Sequence, residues 1–159
     1  MRVGVLTVSD RAAGGVYEDR GGPAVRAYLE EKLPGCEVEA RIVPDDLPRV
    51  AGACLELLAC GCRLVVATGG TGPAHRDVTP EALAPLLEKE LPGFGEKMRA
   101  DAWDAVSTAI LARQCCGVRG DALILSLPGS PKAIPQCLDA VWGAVPHCLT
   151  LIEDNPPPG

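Results

Sequence analysis

The segment from residue 64 to residue 80, LVVATGGTGPAHRDVTP, constrains the fold more than any other part of the chain. It opens with four apolar residues, two of them β-branched, and this run predicts a buried strand. Three glycines follow within four positions, and without Cβ atoms the backbone can wrap closely around an anion. Thr79 is expected to cap a helix that begins at Pro80. A strand, a glycine turn and a helix in this order are typical of a site at the carboxyl end of a parallel sheet.

Strand patterns alternate with helix patterns along the whole chain. Strands are predicted at residues 3–9, 37–43, 64–67 and 123–127, the last as part of a hairpin-like excursion, and helices at about 23–32, 47–60 and 80–90, from 96, and at about 131–152. The alternating polar and apolar residues of 37–43 place that strand towards a sheet edge. The pattern predicts a single α/β domain over residues 1–154, a three-layer α/β/α fold with a mostly parallel central sheet. Residues 155–159 are expected to form a flexible, proline-rich tail.

Composition excludes several classes of function. The formal net charge is -6 and no basic block occurs, so nucleic acid is not expected as a partner. No signal-peptide pattern and no apolar run of membrane-spanning length is visible, and we expect a cytoplasmic protein. The eight cysteines are scattered, several within helix-like apolar runs, and are interpreted as small buried hydrophobic residues.

Polar residues follow three of the predicted strands: Ser9 and Asp10 after the first, Asp45 after the second, and residues 68–77 after the third. In an open α/β sheet these strand ends lie on one edge and can converge. By spacing alone, Ser9 and Asp10 fit a helix cap or turn, and an aspartate in a Pro-Asp-Asp turn is usually a capping or solvated residue. Asp46 is expected to cap the following helix, which leaves Asp45 free.

A carboxylate at Asp77 beside a phosphate-binding turn is electrostatically favourable if a metal ion lies between them. Asp45 and Asp77 could therefore hold Mg²⁺ at a nucleotide phosphate, as in nucleotidyl transfer. A pair of aspartates acting as general acid and base is the rival mechanism, and the sequence leaves it open.

Five segments together resemble the molybdenum-cofactor biosynthesis domain, the family of molybdopterin adenylyltransferases and their relatives. They are SDRAAGGVYEDRGG, the Val-Pro-Asp motif at 43–45, TGGTGPAHRDVTPEAL, LPGFGEKMRADAW, and residues 128–132, in the family order between about Val3 and Leu151. The resemblance implies a trimeric cytoplasmic enzyme that adenylates molybdopterin with ATP and Mg²⁺. Its products would be adenylyl-molybdopterin and pyrophosphate, with a molybdate insertase as a downstream partner.

The resemblance also implies roles for individual residues. Asp45 and Asp77 would be the catalytic, metal-holding pair. The substrate and nucleotide would contact Ser9, Asp10, Thr68, Gly69, Gly70, Thr71, Gly72, Pro128, Gly129 and Ser130. Arg76 is the expected phosphate partner because of its planar fork of donors, whereas no role is predicted for His75.

Three other interpretations remain open at this point. The chain could bind molybdopterin without adenylating it, could be a trimeric scaffold domain, or could be a general nucleotide-binding α/β domain. The aspartate pair argues against the first, and the lack of a linker or second domain in this sequence argues against the second.

Overall fold

The computed structural model describes residues 1–153, which fold around one six-stranded sheet. The strands are β1 (Arg2–Val8), β2 (Glu37–Val43), β3 (Leu64–Thr68), β4 (Lys89–Glu90), β5 (Cys116–Arg119) and β6 (Ala122–Leu127). Their order in the sheet is β2-β1-β3-β6-β5-β4. The first four strands in this order are parallel, whereas β5 and β4 are antiparallel to their neighbours. The prediction of a mostly parallel sheet is confirmed.

Helices cover both faces of the sheet. They are α1 (Asp10–Ala13), α2 (Gly21–Lys32), α3 (Leu47–Ala59), α4 (Thr79–Leu83), α5 (Pro92–Trp103), α6 (Ala133–Val141) and α7 (Val145–Glu153), with short 3₁₀ segments at Ala84–Leu86, Ser107–Leu111 and Trp142–Ala144. One core lies between the sheet and α2, α5, α6 and α7. A second core lies between the opposite face and α3 and α4. The result is the predicted three-layer α/β/α domain.

The central strands are apolar throughout because both of their faces are covered. In β3, Leu64 and Val66 point into the first core, and Val65 and Ala67 point into the second. All four side chains are fully buried. Burial of a valine or leucine contributes about 1.5–3 kcal/mol each, so this strand is fixed firmly at the centre of the sheet.

The start of α3 matches its prediction. The carboxylate of Asp46 accepts a hydrogen bond from the backbone N–H of Arg49 at 3.1 Å, and Asp46 is therefore the N-cap. β2, which leads into this cap, lies at the edge of the sheet as expected. Asp45 lies between the strand and the helix, and its side chain takes no part in this cap.

The helix expected over residues 80–90 is much shorter than predicted. Pro85 has no N–H and would clash with the preceding turn, so α4 ends at Leu83 and the chain continues as a 3₁₀ segment and then β4. The prediction that Thr79 is the N-cap is also wrong. Val78 takes that position, and the Thr79 hydroxyl instead donates to the carbonyl oxygen of Gly69 at 2.8 Å.

Other boundaries also differ from the expectations. The loop after β1 contains the short helix α1, whose N-cap is Ser9, and α2 begins two residues before Pro23. The C-terminal helical region is interrupted at Trp142–Ala144, next to Pro146, but it runs through Pro135. Pro135 is tolerated there because it lies in the first turn, where N–H groups have no partner within the helix. The predicted tail at 155–159 lies outside the described residues. No helix among residues 1–153 is both long and apolar enough to cross a bilayer.

Candidate active site

A cavity of about 260 Å³ opens at the carboxyl edge of the sheet, where the loops after β1, β2, β3 and β6 meet. The chain leaves β1 towards β2 on one side and returns to β3 on the other, so this is the switch point of the sheet, where open α/β folds bind ligands. The wall is formed by Thr7, Val8, Ser9, Ala12, Tyr17, Asp19, Arg20, Gly21, Asp45, Thr68, Gly69, Gly70, Asp77, Gly129 and Pro131. The predicted convergence of three strand ends is therefore observed.

The turn after β3 requires glycine at two positions. Gly69 and Gly70 have φ angles of 96° and 63°, which residues other than glycine rarely adopt. A Cβ atom on Gly69 would overlap the carbonyl oxygen of Val8, and one on Gly70 would overlap the Thr79 hydroxyl. The same Cβ on Gly70 would lie 2.9 Å from Oδ1 of Asp45. The turn thus packs its bare backbone against β1 and against the Asp45 carboxylate.

Asp45 is held by a reciprocal pair of hydrogen bonds with Asp10. The backbone N–H of Asp45 donates to Oδ1 of Asp10 at 3.0 Å, and the backbone N–H of Asp10 donates to Oδ2 of Asp45 at 2.9 Å. Arg76 closes this arrangement with two hydrogen bonds to the Asp10 carboxylate, at 2.9 and 2.8 Å. The loops after β1, β2 and β3 are therefore joined through a single carboxylate.

The two aspartates of this pair have opposite pKa shifts. The Arg76 guanidinium lowers the pKa of Asp10 below its ordinary value. Burial raises the pKa of Asp45, and the negative charges of Asp10 and Asp77 add to that rise. The N–H of Asp10 opposes the rise only in part. Ionised Asp45 consequently lies in an environment that favours a nearby cation.

The donor set of Asp45 and Asp77 fits Mg²⁺ under one condition. Each carboxylate uses Oδ2 to accept a backbone N–H, from Asp10 and from Ala74 at 2.9 Å, and within the described residues its Oδ1 accepts no hydrogen bond. Mg²⁺ typically takes one or two carboxylates together with substrate phosphates and water. No cluster of three or more His, Cys, Asp or Glu side chains able to hold a metal occurs in the described part of the chain. An ion at this site would therefore need oxygen ligands from a substrate.

The sequence-predicted residues divide into two groups. Seven of them line the cavity: Ser9, Asp45, Thr68, Gly69, Gly70, Asp77 and Gly129. The other six do not line it: Asp10, Thr71, Gly72, Arg76, Pro128 and Ser130. Pro128 accepts a hydrogen bond from the Thr68 hydroxyl at 2.9 Å, and with Ser130 it borders a separate cavity of about 370 Å³. His75 is exposed.

Arg113 stabilises the glycine turn, a role that was not predicted from the sequence. Its backbone N–H donates to the carbonyl of Thr71, and its guanidinium donates to the carbonyls of Gly72 and Asp77 at 2.9 and 3.1 Å. The same guanidinium forms an ion pair with Glu81. Nothing in a lone arginine after a 3₁₀ segment predicts contacts with a turn some forty residues earlier.

Three further residues of the cavity wall come from the loop between α1 and α2. Asp19 accepts hydrogen bonds from the Thr7 hydroxyl at 2.9 Å and the Gly22 N–H at 3.0 Å, which anchors this loop to β1. The Arg20 guanidinium lies over the ring of Tyr17, 5.8 Å from its centroid. The sequence of this loop alone does not tell which of its side chains face the cavity.

Comparisons with known proteins agree on one family. Residues 4–147 match the family model described as "Probable molybdopterin binding domain". The molybdopterin adenylyltransferase of Haemophilus influenzae is 45% identical, over 96% of this chain and 85% of that protein. That of Helicobacter pylori strain J99 is 47% identical, over 98% of this chain and 89% of that protein. The crystal structure of the molybdopterin biosynthesis enzyme MoaB from Thermus thermophilus superposes with a TM-score of 0.85 at 43% identity, covering 98% of both chains.

Proposed function

This chain belongs to the molybdopterin-binding domain family, and from that premise we propose that it is a nucleotidyltransferase that adenylates molybdopterin with ATP. A phosphate oxygen of molybdopterin attacks the α-phosphorus of ATP, a new P–O bond forms, and the bond to the β-phosphate breaks. The products are adenylyl-molybdopterin and pyrophosphate. The observation that carries the proposal is the meeting of Asp45, Asp77 and the Gly69–Gly70 turn in one cavity at the switch point.

Phosphoryl chemistry of this kind is catalysed mainly by positioning and by electrostatic stabilisation. Mg²⁺, when bound through the free oxygens of Asp45 and Asp77, would neutralise charge that develops on the reacting phosphate. The glycine turn offers a backbone surface without side chains, against which phosphate oxygens can approach closely.

The remaining contacts of the site keep these groups in place. Asp10 and Arg76 fix the orientation of Asp45, and Arg113 fixes the main chain at Gly72 and at Asp77 itself. Arg76 was expected from the sequence to bind a phosphate, but its guanidinium is occupied by Asp10. We therefore assign Arg76 a positioning role.

The test is a reaction of the purified protein with molybdopterin, α-labelled ATP and Mg²⁺. We expect adenylyl-molybdopterin and pyrophosphate in equal amounts, and no product when the divalent cation is chelated. Tight binding of molybdopterin without pyrophosphate release at any Mg²⁺ concentration would instead establish a binding protein without transferase activity. Absence of binding to both substrates would refute the whole proposal.

We also propose that the protein is a homotrimer. Four exposed apolar side chains lie within nine residues of the chain, from the end of α5 to the end of the following 3₁₀ segment: Trp103, Val106, Ile110 and Leu111. Such a concentration is typical of a surface that is covered by another chain. A molybdate insertase as the downstream partner and a cytoplasmic location are further parts of this proposal.

A further inference from the structure

Among the described residues, three arginines lie close to the glycine turn, and two of them already bind carboxylates of the protein. Arg76 forms its two hydrogen bonds with Asp10. Arg113 is bound to Glu81 and to two main-chain carbonyls of the turn. Arg113 uses all three guanidinium nitrogens in these contacts, and Arg76 uses Nε and Nη2, so the charge of each is already paired with a carboxylate of the protein.

The third arginine, Arg20, lines the cavity and is not bound to a carboxylate within residues 1–153. Among the residues that the structure describes, Arg20 alone contributes a basic side chain to the cavity wall. Within residues 1–153 it forms no ion pair with an acidic side chain. Its neighbour Asp19 does not capture it, because the Asp19 carboxylate accepts from Thr7 and Gly22 instead.

Tyr17 supports the Arg20 side chain. The guanidinium carbon lies 5.8 Å from the ring centroid, which is within the range of a cation–π contact. Both residues belong to the loop between α1 and α2, and both line the cavity. This contact leaves the N–H donors at the edge of the guanidinium plane available to an acceptor.

The charge of the cavity makes a free cation necessary for an anionic ligand. As far as residues 1–153 form it, the wall carries three carboxylates, those of Asp19, Asp45 and Asp77, against one guanidinium. A substrate with several phosphate groups would be repelled by this wall unless cations offset the carboxylates. A planar guanidinium matches two phosphate oxygens at once, which an ammonium group does not.

We propose that Arg20, held by Tyr17, binds a phosphate group of a substrate in this cavity. The inference rests on the proposed function and adds to it the residue that recognises the phosphate. Two sources supply this chemistry, the polyphosphate of the nucleotide and the phosphate of molybdopterin. Binding of each substrate is therefore measured separately.

The experiment compares Arg20→Gln with Arg26→Gln as a matched control. Arg26 is an exposed arginine on α2 that pairs with Glu30 and does not line the cavity, so its substitution removes the same charge from the same region. Dissociation constants for ATP and for molybdopterin are determined by calorimetry, and unfolding curves confirm that both variants are folded. Loss of a charge-assisted hydrogen bond predicts at least about a tenfold weaker affinity for one substrate in Arg20→Gln and no change in Arg26→Gln.

The outcomes distinguish the two sources and the two proposals. Weaker binding of ATP alone assigns the phosphate to the nucleotide, and weaker binding of molybdopterin alone assigns it to the pterin. Arg20→Lys should recover part of the lost affinity because the charge is kept and the planar fork is lost. If the folded Arg20→Gln variant binds both substrates as the wild type does, the inference is refuted, whatever the turnover. If the wild type binds neither substrate, the proposed function itself has failed.

Discussion

Asp45 and Asp46 are adjacent in the chain, yet their substitution should affect different properties. Asp46 accepts the N–H of Arg49 as the N-cap of α3, and it does not line the cavity. Asp46→Ala should therefore lower the free energy of unfolding by about 1 kcal/mol, the usual effect of a lost N-cap. For a protein of this size that corresponds to a fall of roughly 2–4 °C in Tm. The rate of pyrophosphate release should be largely unchanged.

Asp45→Asn should instead lower activity without lowering stability at pH 7. The amide has nearly the same shape as the carboxylate, but it does not carry the charge that would hold a cation at the reacting phosphate. We expect pyrophosphate release to fall about 10²-fold or more, with molybdopterin binding retained, since such losses are usual for a preorganised electrostatic group.

The stability of Asp45→Asn relative to the wild type should increase as the pH rises. Burial raises the pKa of Asp45 in the folded protein above its ordinary value of 3.8, so ionisation is easier in the unfolded chain. The carboxylate therefore lowers the free energy of unfolding as the pH rises from that ordinary value through the folded pKa, and the amide does not. The variant should be at least as stable as the wild type at pH 7, and this difference should vanish below pH 3.8.

Thermal unfolding at several pH values and a pyrophosphate-release assay on the same preparations measure both effects. We expect Asp45→Asn to be stable and inactive, and Asp46→Ala to be less stable and active. An inactive Asp46→Ala together with a fully active Asp45→Asn would show that the catalytic aspartate has been assigned to the wrong residue. A Tm of Asp45→Asn that is lower at pH 7 than at acidic pH, relative to wild type, would refute the account of its burial.

Gly70→Ala should abolish activity and lower Tm, because the backbone at Gly70 has a positive φ and an added Cβ would overlap the Thr79 hydroxyl. Gly52→Ala within α3 should raise Tm, since no atom lies near the added Cβ. Unfolding curves and turnover measurements check both. If Arg76 positions Asp45, Arg76→Gln should lower kcat by a larger factor than it weakens ATP binding, and Arg76→Lys should recover part of the lost kcat. Weaker ATP binding with an unchanged kcat would contradict that role. Ile110→Asp should shift the mass measured by light scattering from trimer to monomer while the far-ultraviolet circular dichroism stays unchanged, and a trimer of unaltered stability would show that this surface is not the interface.

Most of the fold could be predicted because the central strands carry strong local signals. The runs that became β1, β3 and β6 are apolar on both faces, and each ends in polar or glycine-rich residues. The region after Pro80 was harder to predict. Its apolar residues recur at helical spacing, but Pro85 ends the helix, and β4 has only two residues, too few for any periodicity. Pairing with β5, a contact made far along the chain, determines that short strand.

The candidate site could be predicted only as far as strand ends and glycine turns reveal it. Asp45, Asp77 and the glycines immediately follow strands, and for that reason they were found. The partner of Arg76 is 66 residues away in the chain, and no local pattern indicates that its guanidinium meets Asp10. The same limitation applies to Arg20, because its orientation towards the cavity depends on how the loop before α2 folds back over β1.

The arrangement of charge around the glycine turn explains why a divalent cation is needed for the proposed reaction. Arg76 and Arg113 are both close to the turn, but each neutralises a carboxylate of the protein. Their positive charge therefore fixes the shape of the site and does little to attract a polyphosphate. Of the groups in residues 1–153, only Arg20 and backbone amides remain to face the substrate's negative charge, against three carboxylates of the cavity wall. A cation bound by Asp45 and Asp77 would reverse this balance at the reacting phosphate, so activity should rise with divalent cation concentration until that site is filled.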